Sequence, residues 1–262
     1  MKYGFIGCGN MGGAIARAVS RSTKDILIAD RSGKARVLAE ELGIGYCGNA
    51  DIAQQCDRIF LAVKPHMMAE ALAPLQEILA RRKPLLITMA AGLEIRQIQQ
   101  MAGCSLPIIR IMPNTPAMIG KGLTQYCRND LVSPEVLDDF LEDMKYSGRM
   151  DALEERLIDA ASALSGCGPA YMYLFMEALA DGAVACGIPR AKAMEYAAAT
   201  MVGAAEMVLS TGKHPGALKD AVCSPGGSTI AGVRALEQHG FRGAVMDCVA
   251  AAFEKNKELG KK

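Results

Sequence analysis

Three glycines near the start of the chain have a spacing that suits phosphate binding. They form a G-x-G-x-x-G pattern between a strand predicted at 3–6 and a helix predicted at 11–20. The first glycine permits the tight turn, the second lets a pyrophosphate approach the backbone, and the third lets the helix pack close to the sheet. The helix N-terminus adds N–H donors. The alternative is a glycine-rich turn without a ligand. The candidate cofactor-binding residues here are Gly7, Cys8, Gly9, Asn10, Met11 and Gly12.

The end of the second predicted strand gives conflicting signals about the dinucleotide. Asp30 lies where an acid usually holds the ribose 2′-hydroxyl of NAD and repels the 2′-phosphate of NADP. Arg31 and Ser32 follow at once, and both suit a 2′-phosphate. Asp30 is alternatively a helix cap without a ligand. All three are candidate cofactor-binding residues, and the pattern leaves NADH and NADPH open.

Two later strand ends supply further candidates, because ligands bind outside the carboxyl ends of strands in open α/β sheets. Val63, Lys64 and Pro65 end the fourth predicted strand, where the proline stiffens the turn and the lysine is placed to face a cofactor. Asn114 lies in the loop 112–116, between two prolines. The alternatives are an ordinary strand-end lysine and a purely structural loop.

A second glycine-rich loop, 224–229, reads Ser-Pro-Gly-Gly-Ser-Thr and precedes a helical pattern. It offers backbone N–H groups at a helix N-terminus, with hydroxyls beside them, and suits one carboxylate. The alternative is a Ser/Thr-rich helix cap. We expect a cleft between domains or subunits to bring this loop to the dinucleotide site. The candidate substrate-binding residues are Ser224, Gly226, Gly227, Ser228 and Thr229.

Alternating β-rich and helical patterns predict that these loops are carried by an α/β fold. The N-terminal part is expected to be a Rossmann-like, doubly wound, mainly parallel sheet, and the C-terminal part all-α. We place an NAD(P)-binding domain at 1–152 and a helical dimerisation and substrate domain at 153–262. One helix is predicted at 67–79. The predicted strands are Tyr3–Ile6, Ile26–Asp30, Ile44–Tyr46, Arg58–Val63, Leu85–Ala90, Ile108–Met112, Leu123–Cys127 and Arg149–Ala152.

The helix predicted at 170–187 is apolar almost all round. Such a helix must be buried on every side. A domain of roughly 110 residues does not easily enclose it alone. We therefore predict a homodimer through the helical domain. The alternative is a central helix within one domain.

Composition favours a small-molecule substrate. The chain has 29 basic and 28 acidic residues, so we expect no nucleic-acid or membrane partner. Its nine cysteines include no C-x-x-C pair and there are only three histidines, so no metal site is expected. Cysteines without a disulfide framework, and no apolar leader after Met1, predict a cytoplasmic protein.

Several stretches resemble the pyrroline-5-carboxylate reductase family, and they occur in the family's order. The third has Cys167 where the family usually has serine, so the role of that side chain is open. The stretches are Phe-Ile-Gly-Cys-Gly-Asn-Met-Gly at 5–12, Met-Pro-Asn-Thr-Pro at 112–116, Ser-Gly-Cys-Gly-Pro-Ala-Tyr at 165–171, His-Pro-Gly-Ala-Leu-Lys-Asp at 214–220 and Ser-Pro-Gly-Gly-Ser-Thr-Ile at 224–230.

The resemblance implies an NAD(P)H-dependent oxidoreductase that reduces the cyclic imine 1-pyrroline-5-carboxylate to L-proline, the last step of proline biosynthesis. It implies hydride from NADPH or NADH, with NADPH slightly favoured, and a dimer that can join a larger ring of dimers. Thr229 matches the family's active-site threonine and is the catalytic candidate, with its hydroxyl bonded to the imine nitrogen. A cyclic imine protonates near neutral pH, so a strong protein acid is not required.

Two other classes of protein compete with this interpretation. A β-hydroxyacid dehydrogenase has a similar layout, but it uses a lysine on the first long helix of its second domain. This chain has no lysine between Lys145 and Lys192. A non-catalytic nucleotide-binding protein would explain the first glycine loop but not the loop 224–229.

Overall fold

The computed structural model describes residues 1–259. The strands of that part are β1 (Tyr3–Ile6), β2 (Ile26–Ala29), β3 (Gly45–Tyr46), β4 (Arg58–Leu61), β5 (Leu85–Thr88), β6 (Ile108–Met112), β7 (Gly122–Arg128) and β8 (Gly148–Ala152). They form one sheet in the order β3-β2-β1-β4-β5-β6-β7-β8. Only β6 and β7 pair antiparallel in this described sheet. The predicted mainly parallel sheet is confirmed.

The helices of the described chain follow the strands closely in the first part and stand alone in the second. They are α1 (Asn10–Val19), α2 (Gly33–Leu42), α3 (Asn49–Gln55), α4 (Met68–Leu72), α5 (Gln76–Arg82), α6 (Ile95–Ala102), α7 (Pro134–Asp143), α8 (Glu155–Ser165), α9 (Gly168–Ala185), α10 (Arg190–Thr211), α11 (Pro215–Val222), α12 (Ser228–Gln238) and α13 (Phe241–Leu259). Between 155 and 259 every element is a helix, as predicted.

The single helix predicted at 67–79 is wrong. The chain there forms α4 and α5, separated by a 3₁₀ turn at Ala73–Leu75. Pro74 explains the interruption, because proline has no backbone N–H and its ring crowds the preceding helical turn.

Alternate residues of the central strands point into two apolar layers, one on each face of the sheet. Phe5 and Phe60 belong to one layer, where their rings stack with centroids 4.4 Å apart. Ile6 and Leu61, the next residues along each strand, belong to the other. Burial on both faces is typical of a parallel sheet covered by helices. It holds the strand ends, and the loops that follow them, in fixed positions.

The chain divides into two compact units. Among the described residues, the first comprises 1–167 and 252–259, and the second comprises 168–251. The domain boundary predicted after residue 152 follows the last strand, whereas the compact units divide after Cys167. The difference arises because α8 belongs with the sheet.

Polar contacts explain why α8 belongs to the first unit. Arg110 of β6 is 1% exposed on its side chain and donates to Asp159 of α8, with 2.6 Å between Nη2 and Oδ1. The Ser165 hydroxyl, at the end of α8, donates to Gln125 of β7 at 2.9 Å. Asn256 of α13 donates to the Asp159 carbonyl at 3.1 Å. A buried charge is stable only when it is paired in this way, so the network fixes α8 on the sheet.

The second unit buries few side chains within one chain. Among residues 168–251, Ala180, Ala193 and Ala197 are the buried ones. Leu174 of α9 is 69% exposed. A single chain therefore does not supply the burial that the sequence of α9 predicts. The large exposed apolar side chains of this unit are Met172, Tyr173, Leu174, Leu179, Met194, Tyr196, Val202, Met207, Leu209, Val222, Ile230, Leu236, Phe241, Val245 and Met246.

Candidate functional site

The loop between β1 and α1 needs two of its glycines for internal fit. Gly7 has φ +93°, and a Cβ there would lie 2.7 Å from the Ala62 carbonyl carbon and 2.9 Å from the Val63 nitrogen. A Cβ on Gly12 would lie 2.6 Å from the Gly7 carbonyl oxygen and 2.8 Å from the Ala62 Cβ. No side chain fits at either position without moving backbone. These two glycines therefore set how closely α1 approaches β4.

Gly9 differs from its neighbours, because nothing in the described chain would touch its Cβ. Apart from Gly9 itself and the two adjacent residues, no heavy atom lies within 4 Å of the position that such a Cβ would take. Gly9 is also the N-cap of α1 and has no side chain with which to cap the helix. The first N–H groups of a helix have no partner within it, and they carry partial positive charge. The loop is thus open on the side from which a pyrophosphate would approach.

Asp30 braces the glycine loop. One carboxylate oxygen accepts the Cys8 N–H at 2.6 Å, and the other accepts the Ser32 N–H at 2.7 Å. Burial raises the pKa of this carboxyl, but the hydrogen bonds from Cys8 and Ser32 and the charge of Arg31 outweigh it, so the pKa is lowered overall. The carboxylate stays ionised and is engaged with backbone. This bracing role is one that the sequence did not indicate, and a contact with a ribose stays a prediction.

A cleft of about 560 Å³ lies beside this loop in the first unit. Its lining includes six of the predicted cofactor-binding residues: Gly7, Gly9, Asp30, Arg31, Val63 and Lys64. It does not include Cys8, Asn10, Met11, Gly12, Ser32, Pro65 or Asn114. Further residues line the cleft that the sequence analysis did not name: Ile6, Ala29, Tyr46, Cys47, Gly48, Asn49, Ala62, Met67, Glu70, Ala71 and Pro74.

The strand-end rule would have found three of these additional residues, because Ile6, Ala29 and Tyr46 end β1, β2 and β3. Tyr46 ends β3, and its hydroxyl donates to the Asp30 carbonyl at 3.0 Å.

Cys8, a predicted cofactor-binding residue, is buried, and burial raises the pKa of its thiol to about 11. Its side chain is therefore a neutral packing group at neutral pH, while its N–H holds Asp30.

Asn114 braces the fold from both ends of its amide. Its nitrogen donates to the Ser165 carbonyl at 3.0 Å, and its oxygen accepts the Leu123 N–H at 2.9 Å. The side chain is buried, with 8% exposure. These contacts join β7 to the end of α8, two residues before Cys167. Contact between Asn114 and a cofactor stays a prediction.

The loop before α12, in the second unit, is mostly exposed. Gly226 has φ +69°, which a glycine adopts without strain, and Gly227 is the N-cap of α12 without a side-chain cap. The Gly227 N–H donates to the Ser224 carbonyl at 3.0 Å, which closes the turn. Thr229 is exposed in the first turn of the helix. The geometry matches an anion-binding helix start.

Sequence comparison assigns the family. A family model described as "Pyrroline-5-carboxylate reductase dimerisation" matches residues 155–259, and one described as "NADP oxidoreductase coenzyme F420-dependent" matches residues 2–92. Pyrroline-5-carboxylate reductase of Escherichia coli (strain K12) is 42% identical over 266 residues, which cover 99% of this chain and 98% of that protein. The chain belongs to the pyrroline-5-carboxylate reductase family.

Solved structures of the pyrroline-5-carboxylate reductase family agree with the fold along the whole chain. The pyrroline carboxylate reductase of Plasmodium falciparum, solved with NADP bound, has a TM-score of 0.91 at 34% identity and covers 99% of this chain and 98% of that one. The 1-pyrroline-5-carboxylate reductase of Streptococcus pyogenes has a TM-score of 0.91 at 35% identity and covers 98% of each chain. The family assignment makes this chain an oxidoreductase, and it does not favour the β-hydroxyacid dehydrogenase alternative.

Within residues 1–259, no group of three or more His, Cys, Asp or Glu side chains is arranged to hold a metal ion. No helix in that part combines the length and the apolar character that a membrane span needs. The nine cysteines are free.

Proposed function

We propose that this chain is an NAD(P)H-dependent reductase that converts 1-pyrroline-5-carboxylate to L-proline. The observation that carries the proposal is the full-length match to pyrroline-5-carboxylate reductases, 42% identical for the E. coli protein. The glycine loop at 7–12 and the helix start at 224–229 supply the two binding functions that the reaction needs. One suits a dinucleotide and the other suits a carboxylate.

The residues of the first unit fit a dinucleotide. Gly7 and Gly12 close the loop onto β4, and Gly9 leaves its outer side open. The cleft beside them is large enough for a nucleotide, since ligand pockets span roughly 300–1,000 Å³. Arg31, exposed at the cleft, is the residue we assign to a 2′-phosphate, with Ser32 beside it. We favour NADPH slightly over NADH on this basis, and Lys64, Val63 and Pro65 complete the proposed site.

The proposed reaction needs a hydride donor, groups that hold the substrate, and a source for the proton on the ring nitrogen. When bound, the reduced nicotinamide supplies the hydride to the imine carbon. Backbone N–H groups at 226–229, apart from that of Gly227, which closes the turn, hold the substrate carboxylate. The Thr229 hydroxyl donates a hydrogen bond to the lone pair that the ring nitrogen gains as the hydride arrives. That nitrogen carries a proton taken from solvent before the hydride arrives, because cyclic imines protonate near neutral pH. The product is a secondary amine, so the protein needs no strong acid of its own.

We propose that the enzyme works as a homodimer built through residues 153–262, which can join a larger ring. The exposed apolar side chains of the second unit support this, Leu174 among them, because such surface is stable in water only when it is covered. Unpaired cysteines favour the cytoplasm as its location. The proposal includes no metal.

The test is a direct assay. Purified protein is mixed with 1-pyrroline-5-carboxylate and NADPH, and the loss of the reduced-nicotinamide absorbance is followed, with L-proline identified by chromatography. Omission of either substrate is the control. Stoichiometric formation of L-proline is expected. Binding of NADPH without turnover of any cyclic imine would support a non-catalytic nucleotide-binding protein instead.

A further inference from the structure

Arg31 and Glu70 meet at the cleft. Arg31 lies two residues after the end of β2 and Glu70 lies in α4, and both line the cavity. The Arg31 Nη1 lies 3.5 Å from the Glu70 Oε1, and the Arg31 Nη2 lies 3.6 Å from the Met67 sulfur. The residue that we assign to the 2′-phosphate therefore contacts an acid of its own chain.

Both side chains start from backbone that the fold holds in place. On one side, Arg31 lies between Asp30 and Ser32. Both neighbours are held in place, because the Asp30 carboxylate accepts the N–H groups of Cys8 and Ser32. On the other, Met68 and Leu72 of α4 are fully buried at 0% exposure and flank Glu70. The pair is thus set by the tertiary structure, although the ends of both side chains reach solvent.

We propose that Glu70 is a specificity-determining residue of the cofactor site, which competes with a 2′-phosphate for Arg31. An anion bound by Arg31 must displace the Glu70 carboxylate and then lie near its negative charge. A cofactor with a free 2′-hydroxyl neither displaces the Glu70 carboxylate from Arg31 nor places a negative charge near it. Glu70 therefore narrows the preference for NADPH over NADH, and the inference rests on the proposed dinucleotide function.

The position of Asp30 explains why Glu70 has this role. Asp30 is the acid that the sequence pattern suggests for cofactor discrimination, but both of its oxygens accept backbone N–H groups. The acid in ion-pair contact with the Arg31 guanidinium is Glu70. The side chains of this pair are 72% and 75% exposed, so its effect is modest and depends on salt.

The experiment measures binding alone, by calorimetry, on the full chain. The probes are adenosine 2′,5′-bisphosphate and adenosine 5′-monophosphate, which differ only in the 2′-phosphate. They are titrated into the unaltered protein, Glu70→Gln, Arg31→Ala and the double variant. Glu77→Gln is the matched control, because Glu77 is an exposed glutamate of α5 that does not line the cleft.

Glu70→Gln is expected to tighten binding of the 2′,5′-bisphosphate roughly three- to tenfold at low salt and to leave the affinity for the 5′-monophosphate within about twofold. The gain should shrink at high salt and disappear when Arg31 is also replaced. Equal tightening of both probes, no tightening, or a gain that survives Arg31→Ala overturns the inference while the proposed function stands. If neither probe binds the unaltered protein, the proposed function fails and the inference fails with it.

Discussion

Replacing Gly9 with alanine separates ligand binding from folding. The backbone at Gly9 has φ −68° and ψ −163°, which alanine adopts without strain, and the added methyl meets no atom of the described chain beyond the two adjacent residues within 4 Å. Alanine is a poorer N-cap than glycine by a few tenths of a kcal/mol to about 1 kcal/mol. It also lowers the entropy of the unfolded chain, which stabilises by about 0.4–1 kcal/mol. The two terms offset each other.

The same methyl group occupies the space through which a pyrophosphate would reach the helix N-terminus. Inserting a methyl group into a packed contact costs about 1–3 kcal/mol. We therefore expect Gly9→Ala to weaken NADPH binding about five- to 150-fold. Its melting temperature without ligand should change by about 2 °C or less, because the net change in folding free energy is within about 0.5 kcal/mol.

Scanning calorimetry without ligand and a fluorescence titration with NADPH measure the two quantities. Gly12→Ala is the comparison, since its Cβ would lie 2.6 Å from a backbone oxygen. That variant should lose stability as well as binding. Unchanged NADPH affinity in folded Gly9→Ala would refute the reasoning, because it would mean that no ligand approaches the loop there. A fall in melting temperature as large as that of Gly12→Ala would refute the stability argument.

The remaining predictions concern cofactor choice, assembly and chemistry. Arg31→Ala should raise the KM for NADPH about five- to twentyfold and leave that for NADH nearly unchanged in steady-state assays, and equal increases would contradict the assignment. Leu174→Lys should give monomer or aggregate by light scattering because it buries a charge in the proposed interface, whereas a folded, fully dimeric variant would count against that interface. Thr229→Ala should lower kcat about ten- to a hundredfold through loss of one hydrogen bond worth roughly 1–3 kcal/mol, and an unchanged kcat would reduce Thr229 to a helix cap. Gly227→Val should weaken binding of 1-pyrroline-5-carboxylate in the same assays while NADPH binding is kept.

The chain's local patterns were enough to predict the fold. The strand predicted at Ile108–Met112 has those bounds in the structure, and the one predicted at Arg58–Val63 ends at Leu61. Runs of buried apolar residues and glycine-rich turns are properties of neighbouring residues, so they can be read without the tertiary structure. The three glycines of the first loop belong to the same class. Pro74 is also a local feature of the sequence, but it was not used in predicting the helix at 67–79. The structure has α4 and α5 there instead of one helix.

Only the tertiary structure decided which side chains meet. Asp30 binds the N–H of Cys8, 22 residues away, and Asn114 binds the Ser165 carbonyl, 51 residues away. Their residue types suit ligand contact and structural bracing equally well, since an amide or a carboxylate bonds whichever donor or acceptor the fold brings to it. The contact of Arg31 with Glu70 also depends on the tertiary structure. Burial of Met68 and Leu72 fixes α4, and this places Glu70 at the cleft. The sequence by itself determined the elements and the glycine loops, while packing between distant segments decided which polar groups face the cleft and which hold the fold together.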